Sequence, residues 1–204
     1  FSSSTCGYCV EPNKIIKQVL ADNPGKYTYT KYPTKFPGIG DPYTTEEVKN
    51  RVNYYQVKGA PEFYLDGIWK AYEIVSPDDI DSVFGSNTFL DVRGAFTVEG
   101  NTINIIADFM SYIKIDSVRA FISINEKTTT ENVATNGETE FHHIMMKMFP
   151  DAEGTVIDLK AGELQHFEFS YDMNETYMEE LNDLEVAVWV QDYNDYIVYN
   201  SNYM

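Results

Sequence analysis

The sequence predicts an α/β domain over residues 1–85 followed by an all-β sandwich over residues 86–204. Three observations carry that prediction. The only two cysteines form a Cys-x-x-Cys pair, Cys6-Gly7-Tyr8-Cys9, that runs directly into helical periodicity. Helix-like and strand-like segments then alternate as far as Phe84. After Gly85-Ser86-Asn87 the apolar period changes to the twofold alternation of strands, and the charge changes with it. Residues 1–85 carry nine Lys/Arg and eleven Asp/Glu and residues 86–204 carry six and twenty-one, for a net charge of −17.

If the residues after Cys6 open a helix, Cys6 lies at its exposed N-terminus and Cys9 follows one turn later on the same face, close enough for a disulfide. Unpaired N–H groups and the positive end of the helix dipole then favour a thiolate at Cys6, and a thiolate is the attacking species in thiol–disulfide exchange. The same spacing also fits half of a zinc site or a structural staple. Zinc needs two more ligands. The candidates are His142, His143 and His166, and the first two are neighbours in a strand-like segment whose side chains point to opposite faces. The sequence therefore predicts no metal.

Ile15, Ile16, Val19 and Leu20 form one apolar stripe over residues 10–21, which predicts a helix stopped by Asn23-Pro24-Gly25. Tyr27 to Tyr32 alternates aromatic and polar residues and reads as a strand, and the Pro- and Gly-rich Pro33 to Tyr43 reads as a loop. A second helix follows over 45–55, with Thr44 and Glu47 as a capping box and Val48, Val52 and Tyr55 on one face. Phe63 to Leu65, Asp66-Gly67 and Ile68-Trp69 make a hairpin. Ser76, Pro77 and Asp79 start a last helix, whose inner face is Ile80, Val83 and Phe84.

These elements, with Ala60-Pro61 ahead of the hairpin, resemble the thioredoxin fold over residues 1–85, the first strand lying upstream of Phe1. The resemblance implies a cis Ala60–Pro61 bond packed beside Cys6 and Cys9. It also implies that Pro61 belongs to the catalytic site, with Gly7, Tyr8 and Ala60 shaping a groove that docks a substrate chain by strand addition. The other reading of Pro61 is an ordinary strand-start proline. Cys-Gly-Tyr-Cys looks like the dipeptide of periplasmic disulfide isomerases. Thr5 stands where thioredoxins usually carry Trp, and Glu11 opposes a thiolate through like charge.

Seven runs in the second half are rich in β-branched and aromatic residues: Leu90–Val98, Thr102–Phe109, Ser117–Ile124, Phe141–Phe149, Leu164–Tyr171, Leu184–Gln191 and Tyr196–Asn200. Their alternation and the turn signals at Gly100-Asn101 and Asn136-Gly137 fit an immunoglobulin- or fibronectin-like sandwich. Met145, Met146, Met148 and Trp189 read as core.

The negative charge argues against nucleic acid and anionic membrane surfaces as partners. No stretch is long and apolar enough for a membrane-spanning helix. Over its whole length the chain resembles a Bacteroidetes outer-membrane protein family that couples a thioredoxin-like domain to a β-sandwich. The match is carried by Tyr54 to Pro61, Asp66-Gly67, His143 to Lys147 and Val186 to Asp192. That resemblance implies a signal peptide and a lipid anchor upstream, and a place in the periplasm, in the outer membrane or at the cell surface.

Two functions follow. The first is a cell-envelope thiol–disulfide oxidoreductase acting on protein or peptide thiols and disulfides, with no cofactor beyond the Cys6–Cys9 redox pair. The second is a non-catalytic envelope or surface binding protein built on the same scaffold, its contacts made by the acidic sandwich. The second half carries no Gly-x-Ser-x-Gly, phosphate loop or metal-ligand cluster.

Overall fold

A computed structural model describes residues 1–69 and 74–204. Its described residues are mostly β, with three α-helices. After a 3-10 turn at Gly7–Cys9 come α1 (Val10–Asp22) and α2 (Glu46–Tyr54), then the hairpin strands β1 (Tyr64–Leu65) and β2 (Ile68–Trp69), then α3 (Pro77–Phe84). The remaining strands are β3 (Leu90–Glu99), β4 (Thr102–Ser111), β5 (Ile115–Thr129), β6 (Phe141–Phe149), β7 (Thr155–Leu159), β8 (Leu164–Asp172), β9 (Leu184–Gln191) and β10 (Val198–Tyr203).

These eight strands form two antiparallel sheets. One has the order β3-β4-β8; in the other, β10-β9-β5-β6 lie side by side and β7 pairs with β5. The long β5 meets β9 along one edge, and along its other edge β7 and then β6 in succession. The twofold period points Ile103, Ile105, Ala107 and Phe109 of β4 and Val118, Ala120, Ile122 and Ile124 of β5 into one shared core, together with Val186, Val188 and Val190 of β9. The opposite face of the larger sheet is covered too. Phe121, Met145, Met148, Ala187 and Trp189 pack there with Tyr32 and Val48 from the N-terminal part. A sheet buried on both faces accounts for the unbroken apolar run Val186 to Val190, since alternation is needed only where one face meets water.

An α/β thioredoxin-like domain followed by an immunoglobulin-like sandwich is not what this architecture shows. Among the described residues the N-terminal part has no sheet larger than the hairpin, which is joined there by the isolated parallel bridges Ser2–Pro33 and Lys31–Ile144. The extended segment Tyr27 to Tyr32 spends one edge on β6 instead: Lys31 N–H donates to the His143 carbonyl (2.8 Å) and Met145 N–H to that of Lys31 (3.0 Å). The bridge lies beside a bulge in the β5–β6 ladder, between Met145 and Lys147 opposite Asn125 and Ile124, and the nearby His143 takes φ +57°.

The structure departs from the local sequence pattern in three further places. The cap of α2 is Thr45, which accepts from Val48 N–H, while Thr44 Oγ1 donates to the Pro33 and Asp41 carbonyls. Ser76 and Asp79 cap α3 reciprocally, but Phe84 at its end is 58 % exposed rather than inward. The short β7, Thr155-Val156-Ile157-Asp158-Leu159, is an eighth strand outside the seven runs expected from the sequence. In the hairpin, Asp66 and Gly67 take φ +47° and +82°, and a Cβ on Gly67 would fall 1.6 Å from the Tyr196 carbonyl oxygen. That approach admits glycine alone.

Candidate functional site

Cys6 and Cys9 are joined in a disulfide across one tight turn, with Cα atoms 5.3 Å apart. Cys9 N–H donates to the Cys6 carbonyl, closing the 3-10 turn that leads into α1. The Cys6 Sγ lies 3.3 Å from the Ala60 carbonyl oxygen, and the Ala60–Pro61 bond is cis. A disulfide sulfur carries no proton, so this is a sulfur–oxygen contact; a reduced Cys6 thiol at the same place could donate to that oxygen. The structure thus brings together Cys6, Cys9 and Ala60.

Exposure departs from the expected site. Both cysteines are 0 % exposed, whereas Tyr8 between them is 88 % exposed and Gly7 is open to solvent. Three segments hold the turn. From the Pro-rich loop, Asp41 accepts from Ser4 N–H at 2.9 Å and the Pro37 carbonyl accepts from Thr5 Oγ1 at 2.5 Å. From the β5–β6 connection, Thr135 and Asn136 N–H both donate to the Ser4 carbonyl, and the Asn136 side-chain amide donates to the Ser3 and Cys6 carbonyls. From the third, Glu62 orders the loop that carries Ala60: one carboxylate oxygen accepts from Lys58 and Gly59 N–H, the other from the Tyr64 hydroxyl.

Sequence reasoning missed Glu62, Asp41, Asn136 and Glu138. Glu138 accepts from the side chains of both Asn13 on α1 and Asn136, tying the helix behind the cysteines to the β5–β6 connection. Asn136-Gly137 was legible only as a turn, and a Glu following Pro61 gives no local sign that it is buried. Glu11 lies on the solvent side of α1 beside Lys14, where water screens its charge. Among the described residues no group of three His, Cys, Asp or Glu side chains is placed to hold a metal ion. His142 and His143 face different partners: His142 contacts Glu140 and Thr128, and His143 sits 2.7 Å from Glu185.

A second feature is centred on α2. The Arg51 side chain, 1 % exposed, is ringed by aromatics, with its guanidinium 4.8 Å from the ring centres of Tyr54, Tyr55 and Phe121. It donates to the Ala152 carbonyl, the Tyr55 hydroxyl and Gln191. Beside it a cleft of about 660 Å³ opens between Tyr27–Tyr32, the β1–β2 hairpin, α1, α3 and β10.

No protein-family model matches the chain, and no curated protein matches it. Among solved structures it is similar to HBP35 of Porphyromonas gingivalis, a Bacteroidetes protein, with a TM-score of 0.74 and 14 % identity over 98 % of this chain and 71 % of that one. The β-glucosidase of Listeria innocua and β-glucosidase 3B of Thermotoga neapolitana align at TM-scores of 0.35 and 0.33, with 14 % and 11 % identity. These alignments cover 86 % and 76 % of this chain and 22 % and 18 % of theirs. The likeness to HBP35 is one of fold.

Proposed function

We propose that the chain is a cell-envelope thiol–disulfide oxidoreductase working through Cys6 and Cys9. The observation that carries this reading is the juxtaposition of Cys6 Sγ with the Ala60 carbonyl at Pro61, 3.3 Å apart, since it sets a peptide edge beside a one-turn cysteine pair. In the disulfide form, a client thiolate attacks one sulfur and the other leaves as a thiolate. A second client thiolate then attacks the client sulfur of this mixed disulfide, the protein cysteine leaves as a thiolate, and a client disulfide forms as two electrons pass to the pair. In the reduced form Cys6 attacks a client disulfide and Cys9 resolves the mixed disulfide. Because both sulfurs are covered, exchange proceeds through local opening of the turn, whose exposed residues are Gly7 and Tyr8. Residues 1–85 carry the chemistry, and the acidic residues 86–204 supply the surface around it.

A disulfide persists in oxidising compartments, and this supports a place in the envelope. The fold likeness to a Bacteroidetes protein supports membership of a Bacteroidetes envelope family. The test is insulin reduction and refolding of a scrambled substrate by the wild type and by Cys6→Ser. Turnover lost in the variant is expected; equal background rates in both overturn the proposal.

The burial of both sulfurs favours a second reading, a non-catalytic binding protein in which the disulfide only fixes the turn. Titration of Cys6 in the reduced protein separates the two. A thiol near or above the free-cysteine value of about 8.5 favours the scaffold, and a clearly lower one favours the enzyme.

A further inference from the structure

The twofold period of extended chain puts Tyr27, Tyr29 and Lys31 on one side of their segment. All three line a pocket of about 190 Å³ between this segment, α1 and the start of β6. Its lining is basic. Lys17, Lys31, His142 and His143 contribute to it, and among the described residues no Asp or Glu does, although the chain carries 32 acidic residues against 15 Lys and Arg. Three of these four already have carboxylate partners: Lys17 and His142 share Glu140, at 2.5 Å and 3.3 Å, and His143 holds Glu185 at 2.7 Å. Lys31 does not. It is 5 % exposed, and its ammonium meets neither a carboxylate within ion-pair distance nor a hydrogen-bond acceptor among the described residues.

We propose that this pocket binds a small monocarboxylate, its carboxylate paired with the Lys31 ammonium and its apolar body lying against Ile16, Leu20, Tyr27 and Tyr29. The charge follows from the cations left over. One unpaired ammonium matches one negative charge, and the carboxylates of Glu138 and Asp41, which act on Lys31 without bonding to it, repel a dianion more strongly than a monoanion. Both are held elsewhere: the Asn13 and Asn136 amides donate to Glu138, and Ser4 and Tyr43 N–H to Asp41. The size follows from the volume, which falls below the roughly 300–1,000 Å³ of pockets that take drug-sized molecules. A buried ammonium without a partner costs stability, and a carboxylate brought beside it makes a charge-assisted hydrogen bond in its place. Burial lowers the Lys31 pKa only to about 8, so the charged form is present at pH 7. Ala21 and Lys17 of α1 give the approach, since both are exposed and an incoming anion meets the Lys17 charge first.

The test is calorimetric titration of the full chain at pH 7 with isobutyrate and benzoate, and with the neutral isosteres isobutyramide and benzamide, repeated on Lys31→Met. At least one acid is expected to bind saturably at a single site, and its amide about tenfold or more weakly, because the amide brings no charge to Lys31. Lys31→Met keeps the length of the side chain and removes its charge. It is expected to bind the acid about tenfold or more weakly, with amide exchange in β5 unchanged as the index of an intact fold. Equal binding of acid and amide by the wild type overturns the proposal, as does acid binding that survives in a folded Lys31→Met chain. The absence of saturable binding by either acid overturns it too, and tighter binding of inorganic phosphate than of both acids overturns the monocarboxylate. Should Lys31→Met lose β5 protection, the comparison of acid with amide on the wild type decides alone.

Discussion

The Ala60 carbonyl oxygen rests against Cys6 Sγ at 3.3 Å, on a loop whose shape is set by the buried Glu62 carboxylate. Each hydrogen bond to that charged group stabilises by about 1.5–3 kcal/mol, so the loop covers the disulfide only while Glu62 is present. Glu62→Ala is expected to lower stability by about 3 kcal/mol and to speed reduction of the disulfide by dithiothreitol about tenfold or more. Thiol trapping followed by mass spectrometry measures the rate, and urea unfolding the stability. An unchanged reduction rate in a destabilised variant refutes the control of access by this loop.

Arg51 is a cation held by rings and neutral oxygens. Its guanidinium faces Tyr54, Tyr55 and Phe121 at 4.8 Å, and no carboxylate of the described residues lies within ion-pair distance. A planar, weakly hydrated guanidinium suits such a cage, and a compact ammonium does not. Arg51→Lys is expected to cost about 2 kcal/mol, and Arg51→Ala about 3–5 kcal/mol through the cavity and the unpaired Gln191 and Tyr55 groups. Urea unfolding at constant m-value reads both. A Lys variant as stable as the wild type removes the role of the rings.

The strands and helices were legible because each is a local period. Seven of the eight long strands and all three α-helices stand where alternation or an i, i+4 stripe placed them, give or take their ends. Partnership is not local. Tyr27 to Tyr32 reads correctly as extended, yet nothing in those six residues says that Lys31 pairs with His143 and Met145, more than 100 positions away. The cysteine turn fails to read for the same reason. Its sequence implies an open helix N-terminus, and its cover comes from Asp41, Glu62 and Asn136, each from a different segment. Arg51 was equally hidden, since a charged residue beside the Val48–Val52 stripe is ordinarily on the solvent side.

Lys31 is 5 % exposed, and its ammonium has no ion-pair or hydrogen-bond partner among the described residues. Burial pushes its pKa down to about 8, the carboxylates of Glu138 and Asp41 opposing the shift and Lys17 adding to it. The folded value lies below the unfolded one of 10.5, so the neutral amine is preferred in the fold. The stability it contributes is present above pH 10.5 and lost as pH falls through about 8. Lys31→Met is therefore expected to raise stability at pH 7 by about 2 kcal/mol and to have little effect above pH 10.5. Thermal unfolding across that range checks it, and a variant less stable at pH 7 contradicts the assignment.

Glu126 titrates in the opposite sense. It is buried at the end of β5, and burial raises its pKa from 4.5 to about 7. Backbone N–H groups of Glu179 and Glu180 donate to its two oxygens and favour the carboxylate, but the nearby charges of Glu179 and Asp183 work with burial against it. Because the folded value exceeds the unfolded one, the folded state holds a proton that the unfolded chain releases. The stabilisation is complete below pH 4.5, falls as pH rises toward 7, and is absent above it. Glu126→Gln carries no titrating group there, although its amide NH₂ cannot accept from the second backbone N–H and a constant cost follows. The expected result is a wild type that loses stability between about pH 5 and 7 and a Gln variant whose stability is flatter over the same interval. Parallel pH profiles in urea unfolding would mean that the proton is lost at the same pH in both states, and that the Glu179–Glu180 amides offset burial at this carboxylate.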